Sequence, residues 1–329
     1  MKQVSIVATI LLGLTLAGCD GGTSSDGFGD RSGNGNKGML SLSITDAAVD
    51  NIAEVWIEFS SVEIKPADGS SITYTFEKTI DVVASDGTTT TTSVPEPVSI
   101  NLLDLQGSLS ADFFNNLTVP SGDYNWIRLA VNAVIDGTQD SYIVMKDGTV
   151  HELGIPSGSK TGLKINTSFS VEALSEVAMT IDFDLRKSIV MSNSEYHLKP
   201  TLRLVDNANA GSISGSINSG LTVGIAEGCS DDLPETGNAV YVFNGADALL
   251  DDIDDNDPEP VTTALLSLNT NTGNYDYEVG FLPAGNYTVA YTCMADLDDP
   301  ETDDVIVFRQ TSNVTVATPE QTGGAEFNR

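Results

Sequence analysis

The chain has 329 residues, with 15 Lys and Arg against 47 Asp and Glu, for a formal net charge of −32. Such acidity repels polyanions, which excludes nucleic acid as a partner and an anionic lipid face as a resting surface. No H-E-x-x-H pair, strand-borne G-x-S-x-G elbow, glycine-rich phosphate loop or zinc-ligand spacing occurs.

The chain opens with Lys2 and an apolar run from Val4 to Ala17. That is the length of a signal-peptide core and falls short of the roughly 20 apolar residues of a transmembrane helix. The run ends in Leu16-Ala17-Gly18-Cys19, which resembles the lipobox of bacterial lipoproteins. The resemblance implies cleavage after residue 18 and acylation of Cys19, with the membrane as partner through that lipid. An ordinary secreted signal with a chance cysteine is the alternative. Asp20 is similar to the residue that retains enteric lipoproteins in the inner membrane. Residues 19–37, rich in Gly, Ser, Asn and Asp, bury too little to order themselves. They form a tether spanning roughly 20–25 Å.

The remaining residues divide by charge. Residues 1–210 hold 13 Lys and Arg against 26 Asp and Glu; residues 211–329 hold 2 against 21. Two domains are expected, 38–206 and 207–329. Leu40, Leu42 and Ile44 alternate with Ser41, Ser43 and Thr45, predicting a half-buried strand. Val55, Ile57 and Phe59 share one parity and Val62 and Ile64 the other, which requires a β-bulge at Ser60-Ser61. "SADFFNNL" (Ser110 to Leu117) reads as a short helix with Ser110 as N-cap. Val177, Met179, Ile181, Phe183 and Leu185 give a one-sided strand. Leu221 to Ala226 reads as another strand. "VPSGDY" (Val119 to Tyr124) recurs as "LPAGNY" (Leu282 to Tyr287), where each tyrosine hydroxyl is placed to bond back to its loop as a tyrosine corner does. The fold class is all-β, two β-sandwich domains of Ig-like or prealbumin-like type.

"LSLSITDAAVD" (Leu40 to Asp50), "VSINLLDL" (Val98 to Leu105), "VPSGDYNWIRL" (Val119 to Leu129), "LGIPSGSKTGLKI" (Leu153 to Ile165), "IDFDLRKSIV" (Ile181 to Val190) and "YHLKPTLRLVD" (Tyr196 to Asp206) occur in this order. They resemble the lipoprotein family called domain of unknown function 4382. Ala48 stands where the family often has proline. The family has no established activity, so the resemblance names a domain and leaves its function open. "GSISGSI" (Gly211 to Ile217), "GNAVYVFN" (Gly237 to Asn244), "TGNYDYEVGFLPAGNYTVAYTC" (Thr272 to Cys293) and "SNVTVA" (Ser312 to Ala317) resemble prealbumin-like, carboxypeptidase-regulatory-like sandwiches. Starch-binding-like and collagen-adhesin B-type modules are related. Residues 211–329 contain no lysine, so a Lys–Asn isopeptide bond cannot form within them. Both tryptophans, Trp56 and Trp126, precede them. Tyr241, Phe243, Tyr275, Tyr277, Tyr287 and Tyr291 are spaced as core and cross-strand packing rather than as a sugar-stacking platform.

No catalytic residue is assigned. His151 and His197 read as exposed strand histidines. Asp182 and Asp184 share a strand face about 7 Å apart, a spacing that would suit an inverting glycosidase. Arg186 follows them, and a solvated charged face is the simpler reading. With Cys19 acylated, Cys229 and Cys293 remain, both in the second domain and in an oxidising compartment, and a disulfide between them is expected over two free thiols. "DDIDDNDPEP" (Asp251 to Pro260) and "ADLDDPETDD" (Ala295 to Asp304) concentrate carboxylates. Asp252, Asp254 and Asn256 mimic the start of an EF-hand, but Asp257 occupies its glycine position and Thr263 its glutamate position. A looser calcium site drawing on Asp252, Asp254, Asp257, Asp296 and Asp298 is the alternative to two solvated loops; no other cofactor is expected. The functional expectation is a lipid-anchored, non-catalytic protein of the bacterial cell envelope, facing the periplasm or the exterior. It would bind or bridge an envelope protein or polysaccharide. The rival is a carbohydrate-binding or carbohydrate-active protein, a hydrolase with an unrecognised carboxylate site.

Overall fold

The computed structural model describes residues 36–47, 49–83, 89–155, 162–224, 228–234, 236–317 and 321–328. The signal, Cys19 and the tether up to residue 35 lie outside them. Two β-sandwiches follow one another along the chain.

In the first, a four-stranded sheet runs in the order Leu202–Asp206, Glu176–Asp184, Lys37–Ala47, Ala111–Pro120. Lys37–Ala47 is central, parallel to Glu176–Asp184 on one side and antiparallel to Ala111–Pro120 on the other. This sheet faces a ten-stranded one built around Ile52–Pro66 and Gly122–Asn132. Leu40, Leu42 and Ile44 enter the core from one sheet, and Val55, Ile57, Phe59, Val62 and Ile64 from the other. Phe59 touches Phe113 and Phe183 edge-on across the gap. The change of parity along Ile52–Pro66 is resolved by a register shift between Phe59 and Ser61, so both halves of the strand face the same core.

The helix expected over Ser110 to Leu117 is instead part of the strand Ala111–Pro120. Pairing along Lys37–Ala47 is irregular at two points, and Asn116 takes a positive φ of 57°. The irregularity lets both Phe113 and Phe114 point inward, onto Phe76 and its neighbours. That burial outweighs the local helical preference. Leu221 closes a 3-10 turn, Ser219–Leu221, rather than opening a strand; residues 225–227 lie outside the described residues.

In the second sandwich, one sheet runs Ser267–Leu268, Tyr275–Pro283, Ala210–Ile217, Gln321–Phe327, and the other Thr262–Leu265, Ala239–Asn244, Gly285–Thr292, Phe308–Val316. Its first strand, Ala210–Ile217, pairs in parallel with the late strand Gln321–Phe327. Alternation along Ala239–Asn244 feeds two cores. Val240 and Val242 join Ile213, Tyr277, Val289 and Phe327 between the sheets. Tyr241 and Phe243 join Ile253, Ala290 and Ala295 on the outer face. The acidic segment carrying Ile253 lies over that outer face, so the sheet is buried on both sides. The six aromatics Tyr241, Phe243, Tyr275, Tyr277, Tyr287 and Tyr291 are all buried, and none offers a ring to a sugar.

The repeated turn behaves alike in both sandwiches. Tyr124 donates its hydroxyl to the Pro120 carbonyl at 2.5 Å, and Tyr287 to that of Pro283 at 2.8 Å. Each tyrosine thus ties the strand it opens to the end of the preceding one.

Candidate functional site at the joint between the sandwiches

The alternation along Glu176–Asp184 predicts burial on one face, but from Met179 onward the strand is buried on both. The second sandwich and the loop at residues 105–109 lie on its polar face. Thr45, opposite Asp182, donates its hydroxyl to the carbonyls of Leu105 and Leu109. Ser108 in turn donates to Glu278 of the second sandwich at 2.5 Å. Asp182, Asp184 and Arg186 are 5%, 5% and 4% exposed, so the solvated-face reading fails. Buried charges need partners, and each has one. Arg203, on the neighbouring strand, donates Nε to Asp182 at 2.9 Å. Burial holds the Asp182 carboxyl above its ordinary range and Arg203 pulls it back.

Asp184 ends the strand and caps the single helical turn Leu185–Ser188, its Oδ1 accepting from the Lys187 N–H. Its Oδ2 is buried without a hydrogen bond. Burial pushes this carboxyl up to about 6; Lys187 and Arg203 lower it and Asp182 raises it. The helical turn swings Arg186 out of the strand and into the second sandwich. Its guanidinium pairs with Asp50 at 2.6 Å, donates to the Ala295 carbonyl at 2.7 Å and to the Thr263 hydroxyl at 3.3 Å. It also lies over the Tyr241 ring, 5.8 Å from the centroid. Burial alone would weaken the guanidinium's hold on its proton; the Asp50 carboxylate more than compensates, leaving it above its ordinary value. Lys187 reaches across beside it, pairing with Glu259 at 2.7 Å and donating to the Pro260 carbonyl. Asp182 and Asp184 are therefore bound to groups of the first sandwich, and Arg186 and Lys187 make the bonds to the second.

Between the sandwiches, Thr45, Asp182, Thr263, Asp276 and Glu278 border a cleft of about 210 Å³, below the roughly 300–1,000 Å³ of ordinary small-molecule pockets. The histidines are half-buried rather than exposed and lie on adjacent strands of the first sandwich. His151 packs on the Tyr196 ring, and His197 Nε2 lies 3.8 Å from a Glu195 oxygen.

Cys229 and Cys293 are joined in a disulfide across 64 residues. Arg309 lies against it, its Nη1 3.0 Å from the Cys229 sulfur, and donates to the Leu221 carbonyl. The bridge thereby pins the segment after Leu221 to the end of Gly285–Thr292, next to the turn that carries Ala295.

The acidic loops interlock on the outer face beside Tyr241. Asp298 accepts from the Ile253 N–H and the Tyr241 hydroxyl, and Asp252 accepts from the Asp304 N–H. Burial holds the Asp298 carboxyl up at about 6 against the pull of Tyr241, Ile253 and Arg186. Two groups of carboxylates converge, Asp252 with Asp298 and Asp304, and Asp252 with Asp254 and Asp303. Of the residues expected from the sequence, Asp252, Asp254 and Asp298 come together, while Asp257 and Asp296 belong to neither group among the described residues. Asp296 Oδ1 lies instead beside Gly237, in the space a side chain there would occupy. Asp303 and Asp304, at the far end of the second acidic segment, converge there in place of Asp296, because which carboxylates of that segment meet Asp252 is set by how the loop folds.

A family profile for a domain of unknown function, DUF4382, matches residues 37–200. Residues 37–200 are a DUF4382 domain. The match ends just before Leu202–Asp206, the edge strand that supplies Arg203. The DUF4382 domain thus contributes Arg186, its partner Asp50, and Lys187 to the joint. No curated protein matches the chain. Among solved structures, a leucine-rich repeat protein from Bacteroides thetaiotaomicron shares 12% identity over 89% of this chain and 26% of its own, with a TM-score of 0.22. The Bacillus anthracis TIE protein shares 13% over 89% and 34%, with a TM-score of 0.17. GBS52, the minor pilin of Streptococcus agalactiae, shares 9% over 87% and 94%, with a TM-score of 0.18. The chain spans about a quarter and a third of the length of the first two. Among the described residues no helix is long and apolar enough to cross a membrane.

Proposed function

We propose that the protein is a lipid-anchored, non-catalytic component of the bacterial cell envelope. In this reading Cys19 carries the lipid, residues 19–37 hold the folded part off the bilayer, and the two sandwiches act as one stiff module that binds or bridges an envelope protein or polysaccharide. The observation that carries it is the joint. The charged side chains that could have formed a reaction centre are buried: Asp182 and Asp184 are taken up by Arg203 and by the Lys187 N–H, and Arg186 is spent on holding the two sandwiches together. A rigid pair of domains on a flexible leash suits presentation of a surface to a partner.

The anchor is tested by growing cells with a fatty-acid probe and comparing the natural chain with Cys19→Ser. The natural chain should take up label and stay with the membrane fraction. The variant should lose both and remain folded, since the tether separates residue 19 from the first strand. Persistent label on the variant would overturn the proposal.

A further inference from the structure

Asp252 is 2% exposed, and its Oδ1 is buried without a hydrogen-bond partner. Leaving a buried carboxylate oxygen unpaired is costly. The groups that converge on it are all carboxylates: Asp298 and Asp304 in one group, Asp254 and Asp303 in the other. None of them donates a hydrogen bond when ionised, and together they add like charge around a buried one. In each group one oxygen from every member lies within 4.8 Å of the others. Three oxygens that close need only draw in slightly to reach a calcium–oxygen distance of roughly 2.4 Å from one ion.

We propose that this cluster is a calcium site centred on Asp252 Oδ1, with Asp298 and Asp304 from one loop and Asp254 and Asp303 completing the shell. Calcium is favoured because it accepts six to eight oxygens in adaptable geometry, whereas magnesium demands a near-ideal octahedron and holds its waters. The donor set contains no nitrogen or sulfur, which leaves zinc poorly served.

The site sits at the end of two bonded chains that lead into the joint. Asp298 accepts from Tyr241, whose ring lies beneath Arg186. The N–H groups of Asp254 and Asp255 both donate to Glu259, which pairs with Lys187 of the DUF4382 domain. An ion that fixes Asp254 and Asp298 therefore also fixes the seats of Arg186 and Lys187. The inference goes beyond the functional proposal and does not depend on lipidation of Cys19.

The test uses the full chain purified in detergent, with calcium chloride as the probe at constant ionic strength. Titration calorimetry should show saturable binding, and the Tm should rise by about 5 °C at a calcium concentration about 100-fold above Kd. Asp303→Asn, at an exposed position that folding does not need, should weaken binding at least about ten-fold, the scale of losing one charged ligand. Asp252→Asn should abolish binding. Asp147→Asn, in an exposed turn of the first sandwich and in neither carboxylate group, should bind as the natural chain does. Absence of saturable heat at 5 mM calcium, unchanged affinity in Asp303→Asn, or an equal Tm rise with magnesium would each overturn the assignment.

Discussion

Truncating Arg186 to Ala removes the cation that three partners share and leaves Asp50 buried at 8% exposure with no counter-charge. Breaking a buried ion pair from one side costs about 3–5 kcal/mol, because the surviving charge stays desolvated. The lost bonds to the Ala295 carbonyl and the Thr263 hydroxyl fall on the second sandwich, so the damage should also uncouple the two units. At roughly 2–4 °C per kcal/mol for a chain of this size, Tm should drop by about 10 °C. Differential scanning calorimetry should then resolve two transitions where the natural chain gives one. The double variant Asp50→Asn with Arg186→Met should recover most of the loss, since it removes the stranded charge as well as its partner. A loss under about 1 kcal/mol for Arg186→Ala, or a double variant as damaged as the single one, would refute the claim that this pair fastens the joint.

Replacing Cys229 and Cys293 with Ser opens a 64-residue loop and should cost about 4 kcal/mol in the chain-entropy account, read as a fall in the denaturation midpoint without reductant. Midpoints that coincide for the natural and the variant chain would contradict it. Asp184→Asn should stabilise the protein at neutral pH. The folded carboxyl, at about 6 against an ordinary 3.8, binds its proton more tightly than the unfolded one. The natural chain is therefore free of this penalty below about pH 3.8, accumulates it as pH rises through 6, and carries it in full above. The gain from Asn should approach about 3 kcal/mol at pH 7 and fade towards pH 4. A difference between the two chains that is the same at both pH values would show that the carboxyl is not held up by burial.

Strand parity was legible wherever one face met a core and the other met water or a small loop. Leu40, Leu42 and Ile44, and the bulge after Phe59, follow from period-two counting alone. So do the two turns whose tyrosines bond back to proline carbonyls, because the bond is local. What escaped depends on partners distant in the chain. Ser110 to Leu117 carries helix-compatible residues, and only the open edge of Lys37–Ala47 makes it a strand. Asp182, Asp184 and Arg186 look like a wet charged face until a second sandwich is laid on it. The signal available was the run of Ser, Thr and Asp on one face of two neighbouring strands, a face too polar for a core yet short of Lys and Glu. The acidic loops were noticed for their charge, but which carboxylates meet is set by the way Asp298 and Asp304 reach across to Ile253 and Asp252.

The parallel pairings impose a timetable on assembly. Met39 lies opposite Glu176, and Ser212 opposite Gln321, so each sandwich begins with a strand whose parallel neighbour is made more than 100 residues later. A chain that leaves a narrow exit from its N-terminus presents Leu40, Leu42 and Ile44 long before the cover for that edge exists. Contacts of such long range are slow to close, and the exposed edge is open to other chains meanwhile. The second sandwich likewise cannot close that edge until residues 321–327 have been made. Deleting those residues would leave Ala210–Ile217 with a bare edge for the whole life of the protein, and the defect would register as aggregation in the compartment where the chain folds.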